Sequence, residues 1–226
     1  MIVKLGNWLF HYRNMLFPFF YAMLFVPSRP VFGNMTYAFI VGGIIIFIGM
    51  AVRITTIGLV YIERGGKNRR IYAGELVTEG IYNVCRNPMY LGNALLLLGF
   101  GLFANSLIFT LVFFPLFVGL YIAIILAEEA FLYNKFGQEY TSYKKNTNRI
   151  IPRLSSIKGA YRDQTFKWQK VVSKEHNSMF LYFTGILLIL YHKTAISYFA
   201  FIIIFIVIFT NYLSVKLLKK RKVLDA

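Results

Sequence analysis

The sequence predicts an all-α, polytopic membrane protein with about six transmembrane helices and both termini in the cytoplasm. Three observations carry that expectation. Hydrophobic residues make up 58% of the 226 and aromatic residues 18%, and the mean hydropathy is +0.58, too apolar for an ordinary soluble domain. The apolar residues gather into six separate runs. The 25 lysines and arginines fall in alternate gaps between those runs, which gives a chain of net charge +16 one consistent orientation.

The first run is Met15 to Val26, which needs part of the preceding Trp8 to Asn14 to approach the ~20 residues of a span. The second, Tyr37 to Ile62, is long and carries Arg53. The third runs from Pro88 to Ala104 and the fourth from Leu107 to Ala127. Only Asn105 and Ser106 separate them, so they form a tight helical hairpin. The fifth is Met179 to Tyr191 and the sixth Ala195 to Val215. With a cytoplasmic N-terminus, 22 of the 25 basic residues lie on the cytoplasmic side, Arg29 and Lys193 lie outside, and Arg53 lies within the membrane. The polar segments 63–87 and 128–177 then share one side, where chemistry is expected. In "TFKWQKVVSKEHN", aromatic residues interleave with Lys167, Lys170 and Lys174, as in a helix lying in the interface or in a solvated connector.

Composition also excludes function classes. The basic residues flank apolar runs, so an anionic membrane surface is the expected partner and nucleic acid is not. One cysteine, Cys85, permits no intramolecular disulfide, and the scattered His11, His176 and His192 have no metal-ligand spacing, so no metal is expected. No glycine-rich loop follows a strand, which argues against a Rossmann or P-loop nucleotide site. "GFG" at Gly99 to Gly101 lies inside a run and reads as helix packing. No small-residue cleavage site follows the first apolar run, so no cleavable signal peptide is expected.

Chemistry-bearing residues sit at the edges of the runs. Glu128 and Glu129 directly follow a 21-residue apolar span. Adjacent carboxylates there repel one another and are costly to desolvate. They are either the polar cap of a helix entering water or, if the helix continues, mid-helix groups facing different sides. "CRNPMYLGN" opens the third run. Arg86 can pair bidentately with a carboxylate, Pro88 suits a first helical turn and holds Asn87 extended, and Gly92 lets a backbone or ligand come close to Tyr90's helix. Arg53 lies about nine residues, or ~13 Å, from the end of its helix, too deep to snorkel easily. Its candidate partners are Glu128, Glu129 or an anion on a ligand. Cys85 precedes Arg86 and is either an acidified thiol or a buried inert one.

The runs "ELVTEGIYNVCRNPMYLGNALLLLGFGLF", "EEAFLYNKFGQEYTSYKKN" and "RIIPRL" resemble the isoprenylcysteine carboxyl methyltransferase family, whose relatives include membrane phospholipid methyltransferases. The resemblance covers roughly Arg53 to Leu154. The family's Arg-His-Pro-x-Tyr-x-Gly run, its Glu-Glu pair and its Phe-Gly-x-x-Tyr-x-x-Tyr segment match Arg86, Pro88, Tyr90 and Gly92, then Glu128 and Glu129, then Phe136, Gly137, Tyr140 and Tyr143. The family histidine is Asn87 here, and an amide cannot serve as a proton-transfer base.

The resemblance implies S-adenosylmethionine as cofactor, bound among membrane helices. Expected cofactor-binding residues are Arg86, Asn87, Pro88, Tyr90, Gly92, Glu128, Glu129 and Tyr140. Expected catalytic residues are Arg53, Arg86 and Glu129. The acceptor is a lipid or lipidated molecule entering from the bilayer, with the active site facing the cytoplasm. Residues 1–62 then carry the first two transmembrane helices. Residues 63–154 form the methyltransferase core, with the hairpin 88–127 and a cytoplasmic cofactor-binding segment. Residues 155–226 form an interfacial segment and two last helices. Two other classes stay open. One is an NADPH-dependent membrane reductase, for which "RGGKNRR" at 64–70 would read the extra phosphate. The other is a transporter or membrane scaffold.

Overall fold

The structure, a computed structural model, describes residues 1–59, 71–161, 165–194, 196–221 and 223. The basic run at 64–70 and the inner end of the second apolar run lie outside the described residues. The chain is an all-helical polytopic membrane protein: no strand occurs among the described residues. It divides into two compact units, Met1–Thr165 and Phe166–Ala226.

In the first unit, α1 (Ile2–Met23) begins earlier than its apolar run: it carries the polar Asn7, His11 and Arg13, meets no proline before Pro18, and includes Gly6, where a Cβ would strike the Ala123 carbonyl oxygen. The helices α2 (Met35–Leu59) and α4 (Pro88–Phe103) form the most extensive helix pair. Small residues at seven-residue spacing make their seam, Gly42 and Gly49 on α2 facing Gly92 and Gly99 on α4. A Cβ at Gly99 would stand 2.7 Å from the Ile46 amide nitrogen, and one at Gly49 would stand 2.9 Å from that of Leu96, so only glycine allows this approach. Gly99 is therefore the packing residue that its place inside the run suggests.

The hairpin after α4 is as tight as expected. Asn105 takes a left-handed backbone (φ 53°), and its Oδ1 accepts from the amides of Val31 and Phe32, both at 2.8 Å. Leu107 donates to the Arg29 carbonyl at 3.0 Å. The α1–α2 connection and the hairpin thus lie at one end of the unit, opposite the start of α4.

A π-helical turn (Phe109–Phe113) leads directly into α5 (Phe114–Asn146), where Pro115 removes a backbone donor. The helix does not stop at Ala127, so Glu128 and Glu129 are mid-helix and both are buried. Gly137 breaks the rod, with φ 51° and ψ −117° and open space around it, so the backbone conformation rather than crowding selects glycine. Past that kink, Tyr140 and Tyr143 fold onto Ala73 and Leu132 in a buried cluster. The Tyr143 hydroxyl donates to the Tyr82 carbonyl at 2.7 Å, just ahead of the end of α3 (Ile81–Val84).

A short helix, α6 (Ile157–Ala160), follows in the first unit, and the second unit pairs α7 (Trp168–Lys193) with α8 (Tyr198–Lys220). α7 is one continuous helix that joins the lysine-rich segment to the fifth apolar run, because nothing between Trp168 and Gly185 interrupts it. Phe180 of α7 packs on Phe209 and Tyr212 of α8, and Tyr191 on Phe201, so the pair runs antiparallel.

Three described helices are long and apolar enough to cross a membrane: α2, the continuous Phe109–Asn146 helix and α8. α4, with 16 residues, is a shorter apolar helix bounded by Pro88 and the Asn105 turn.

Candidate active site

The start of α4 and the middle of α5 meet at one end of the first unit. Pro88 occupies the first turn of α4; Asn87 before it, at φ −132° and ψ 58°, is kept out of the helical region but is not in the extended conformation expected. The Arg86 side chain turns back under α5. Its Nη2 pairs with Glu129 Oε1 at 2.8 Å, and its Nη1 donates to the Lys144 and Thr147 carbonyls, both at 2.9 Å. A buried cation thus caps the carbonyl end of α5, where the helix dipole favours it. Glu129 is held from its other side by Arg149, with Nε to Oε1 at 3.0 Å and Nη2 to Oε2 at 2.9 Å. The resulting Arg86–Glu129–Arg149 triad is buried at Arg86 and Glu129, while the Arg149 side chain stays 39% exposed. The hydrogen bonds to Glu129 raise the Arg149 guanidinium above its already high range.

Backbone bonds lock the segments that carry these groups. Arg86 N–H donates to the Asn148 carbonyl and Arg153 N–H to that of Val84, both at 2.9 Å. Asn87 Nδ2 donates to the Arg149 carbonyl at 3.1 Å, a bond that an imidazole N–H in the same place would also make. Cys85 is 1% exposed, and burial pushes its thiol up to about 11, so it is the inert alternative that the structure selects.

Glu128 faces a different side of α5 from Glu129. Its Oε1 accepts from the Tyr90 hydroxyl at 2.8 Å. The Tyr90 ring meets Tyr121 edge-to-face at 5.0 Å. Arg53 donates to Asn93 Oδ1, and Asn93 Nδ2 donates to the Tyr121 hydroxyl at 3.1 Å. Gly92 leaves the space through which the Arg53 side chain passes, since a Cβ there would stand 2.6 Å from Arg53 Cγ.

Of the residues expected from sequence, Arg86, Asn87 and Glu129 therefore meet in one cage. Tyr90 and Glu128 pair beside it, and Arg53 and Gly92 pack one turn deeper. Pro88 shapes the mouth. Tyr140 sits in the buried cluster beyond the kink. Sequence reasoning missed Arg149, Asn93 and Tyr121. Arg149 opens the "RIIPRL" run, and an arginine just past a helix end was the available signal. Nothing in the local sequence marks Asn93 or Tyr121, because both are defined by a partner on another helix. An open polar cleft of about 560 Å³ lies beside the cage; it is lined by Thr147, whose carbonyl Arg86 holds, and by Tyr143, Glu79 and Glu139.

The chain matches the phospholipid methyltransferase family over residues 33–139, which include α2, α4, the hairpin and the Glu-Glu pair. Three curated relatives are similar to parts of the chain. The cobalt-zinc-cadmium resistance protein CzcN of Cupriavidus metallidurans is 35% identical over 61% of this chain. The nickel-cobalt-cadmium resistance protein NccN of Alcaligenes xylosoxydans xylosoxydans is 30% identical over 47%. The protein-S-isoprenylcysteine O-methyltransferase of Schizosaccharomyces pombe is 37% identical over 35%. The chain spans 63%, 48% and 34% of the lengths of these relatives, less than two thirds of each. No solved structure matches it. The family segment ends at Glu139, so Arg86, Tyr90, Glu128 and Glu129 lie within it, whereas Arg149 lies beyond it.

Proposed function

We propose that this protein is an S-adenosylmethionine-dependent integral membrane methyltransferase acting on a lipidic acceptor, with a lipid headgroup or lipid phosphate oxygen favoured. The observation that carries the reading is the convergence of Arg86, Tyr90, Glu128 and Glu129, about 40 residues apart in sequence, at one helix mouth inside the phospholipid methyltransferase segment.

The donor set suits that cofactor, which carries a sulfonium, an ammonium, a carboxylate and ribose hydroxyls. S-adenosylmethionine would supply an electrophilic methyl group in this site. Glu128, oriented by Tyr90, suits the ammonium. Arg149, exposed on one side while Glu129 anchors the other, suits a carboxylate. The polar cleft beside the cage is in the size range of small-molecule sites, and its carboxylates suit hydroxyl donors. Arg86 and Glu129 hold the floor rigid. The aromatic wall of Tyr121 and Phe117 keeps water from the reacting side. Asn87 cannot take up a proton, which favours acceptor oxygens that are already anionic and need no base. Methylating such an oxygen removes a negative charge. In an envelope lipid that change would weaken cation binding, a route by which the metal-resistance names of two relatives would make sense here.

Calorimetry with S-adenosylhomocysteine on the detergent-solubilised protein, wild type beside Glu128→Ala, tests the cofactor. Micromolar binding lost on substitution supports the reading, and no binding by folded wild type overturns it. A labelled methyl group then separates acceptors. Label in phospholipid extract supports the favoured one. Label on a prenylated cysteine carboxylate supports the reading that the Schizosaccharomyces pombe relative favours.

A further inference from the structure

The deepest polar groups of the first unit form a chain with a fixed direction. Arg53 is buried in α2, and its guanidinium has donors only. The Asn93 atom facing it must therefore be Oδ1, which sets the amide orientation and turns Nδ2 toward Tyr121. The Tyr121 oxygen is thereby an acceptor. All the donors point one way, from α2 through α4 to α5. At the end of the chain the Tyr121 ring is gripped three times: by its hydroxyl on Asn93, by Phe117 at 4.1 Å, and by Phe17 of α1 at 6.3 Å. The same ring also meets Tyr90, at 5.0 Å and 82°, and Tyr90 carries the hydroxyl that holds Glu128.

A buried amide and guanidinium are costly unless their partners are in place, so the chain tolerates few arrangements. Aromatic packing alone would not need them, since leucines would fill the same space without the desolvation cost. Gly92 gives a second sign that the arrangement is built. The position is small where a side chain would strike Arg53 and deflect it from Asn93.

We propose that Asn93 and Tyr121, oriented by Arg53, are positioning residues that set the Tyr90 ring and, through it, the Glu128 carboxylate. The proposal rests on the methyltransferase reading only for its effect on rate. Arg53 acts here through other residues and does not touch a substrate.

The test places 3-fluorotyrosine at position 90 of the full chain in detergent and reads its fluorine resonance with no cofactor added. Glu128→Leu, which has no acceptor, calibrates the shift that accompanies loss of the Tyr90–Glu128 bond. Tyr121→Phe, which keeps the ring, and Asn93→Leu, which keeps the size of the side chain but has no group to bond the Tyr121 hydroxyl, are expected to move the resonance the same way. The double variant is expected to move it no further than either single one, because both delete the same bond. In methyl transfer, each single variant is expected to lower kcat roughly tenfold or more, with KM little changed, as a displaced catalytic group would. An unmoved resonance in Tyr121→Phe and Asn93→Leu, or additive shifts in the double variant, overturns the proposal. Methyl transfer by wild type with an unmoved resonance sinks the chain and leaves the methyltransferase reading intact. The shifts without any methyl transfer by wild type sink that reading and uphold the chain.

Discussion

Glu129 holds two guanidiniums at once, and its removal leaves both without their carboxylate. Arg86 is buried, so Glu129→Gln is expected to cost about 3 kcal/mol, read as a lowered thermal midpoint in detergent. Arg149→Met removes the more exposed partner and is expected to cost about 1 kcal/mol or less. An equal loss from the two would contradict the burial seen here. Cys85 gives a pH-dependent check. Its folded thiol titrates at about 11 against an ordinary 9.0, so the folded state holds the proton more tightly. That contribution to stability is complete below pH 9 and is lost as the pH rises from about 9 to about 11. At pH 7.5 the native thiol is expected to react with maleimide far more slowly than in denaturant, and equal rates would refute its burial. Arg86, Tyr90, Glu128 and Glu129 were legible as members of the candidate site because each breaks the pattern of a membrane helix edge. Arg149 was not, since an arginine in a basic loop looks the same whether or not it grips a carboxylate.

At the level of elements, the α2–α4 seam decides where Arg53 and Tyr90 stand. Gly99→Ala would push a methyl group against the Ile46 backbone and is expected to lower thermal stability. Gly119→Ala on α5 meets open space, so it is expected to be neutral or to stabilise by up to about 1 kcal/mol through helix propensity. Similar melting shifts for the two would show that propensity, not packing, governs the seam. The hairpin turn was readable from two polar residues between two apolar runs. The length of α5 was not, since the apolar run ends at Ala127 while the helix goes on to Asn146. Hydropathy marks where a helix leaves lipid, not where its hydrogen bonds stop. α7 repeats the point at its other end: its lysine-rich start and its apolar remainder form one helix.

For the whole molecule, the distribution of basic residues predicts which end faces the cytoplasm. In a Cys85→Ser background, Lys145→Cys is expected to be labelled by impermeant reagents only from the cytoplasmic side and Arg29→Cys only from the opposite side. Reversed labelling would invert the topology and place the site outside. The two positions lie at opposite ends of the first unit, since Arg29 bonds to the α4–α5 hairpin and Lys144 bonds to Arg86 at the mouth of α4. Every proposed site residue lies in Met1–Thr165, so a chain ending there is expected to keep S-adenosylhomocysteine binding. Loss of binding by a folded truncated chain would show that the last two helices contribute to the site.

Sequence was enough for the membrane, the helices and the motif family, because burial in lipid, helical hydrogen bonding and short-range chemistry all leave local marks in composition and spacing. It was also enough to single out the adjacent glutamates, since ionised groups at a membrane edge are conspicuous. Which carboxylate meets which partner was decided by the tertiary structure. Glu128 and Glu129 are neighbours in sequence, yet helical rotation turns one toward Tyr90 and the other toward Arg86 and Arg149. The buried chain from Arg53 to Tyr121 likewise joins three helices through single atoms. Its members have no shared pattern in the sequence, because only the close approach of α2 and α4 brings them within hydrogen-bond reach.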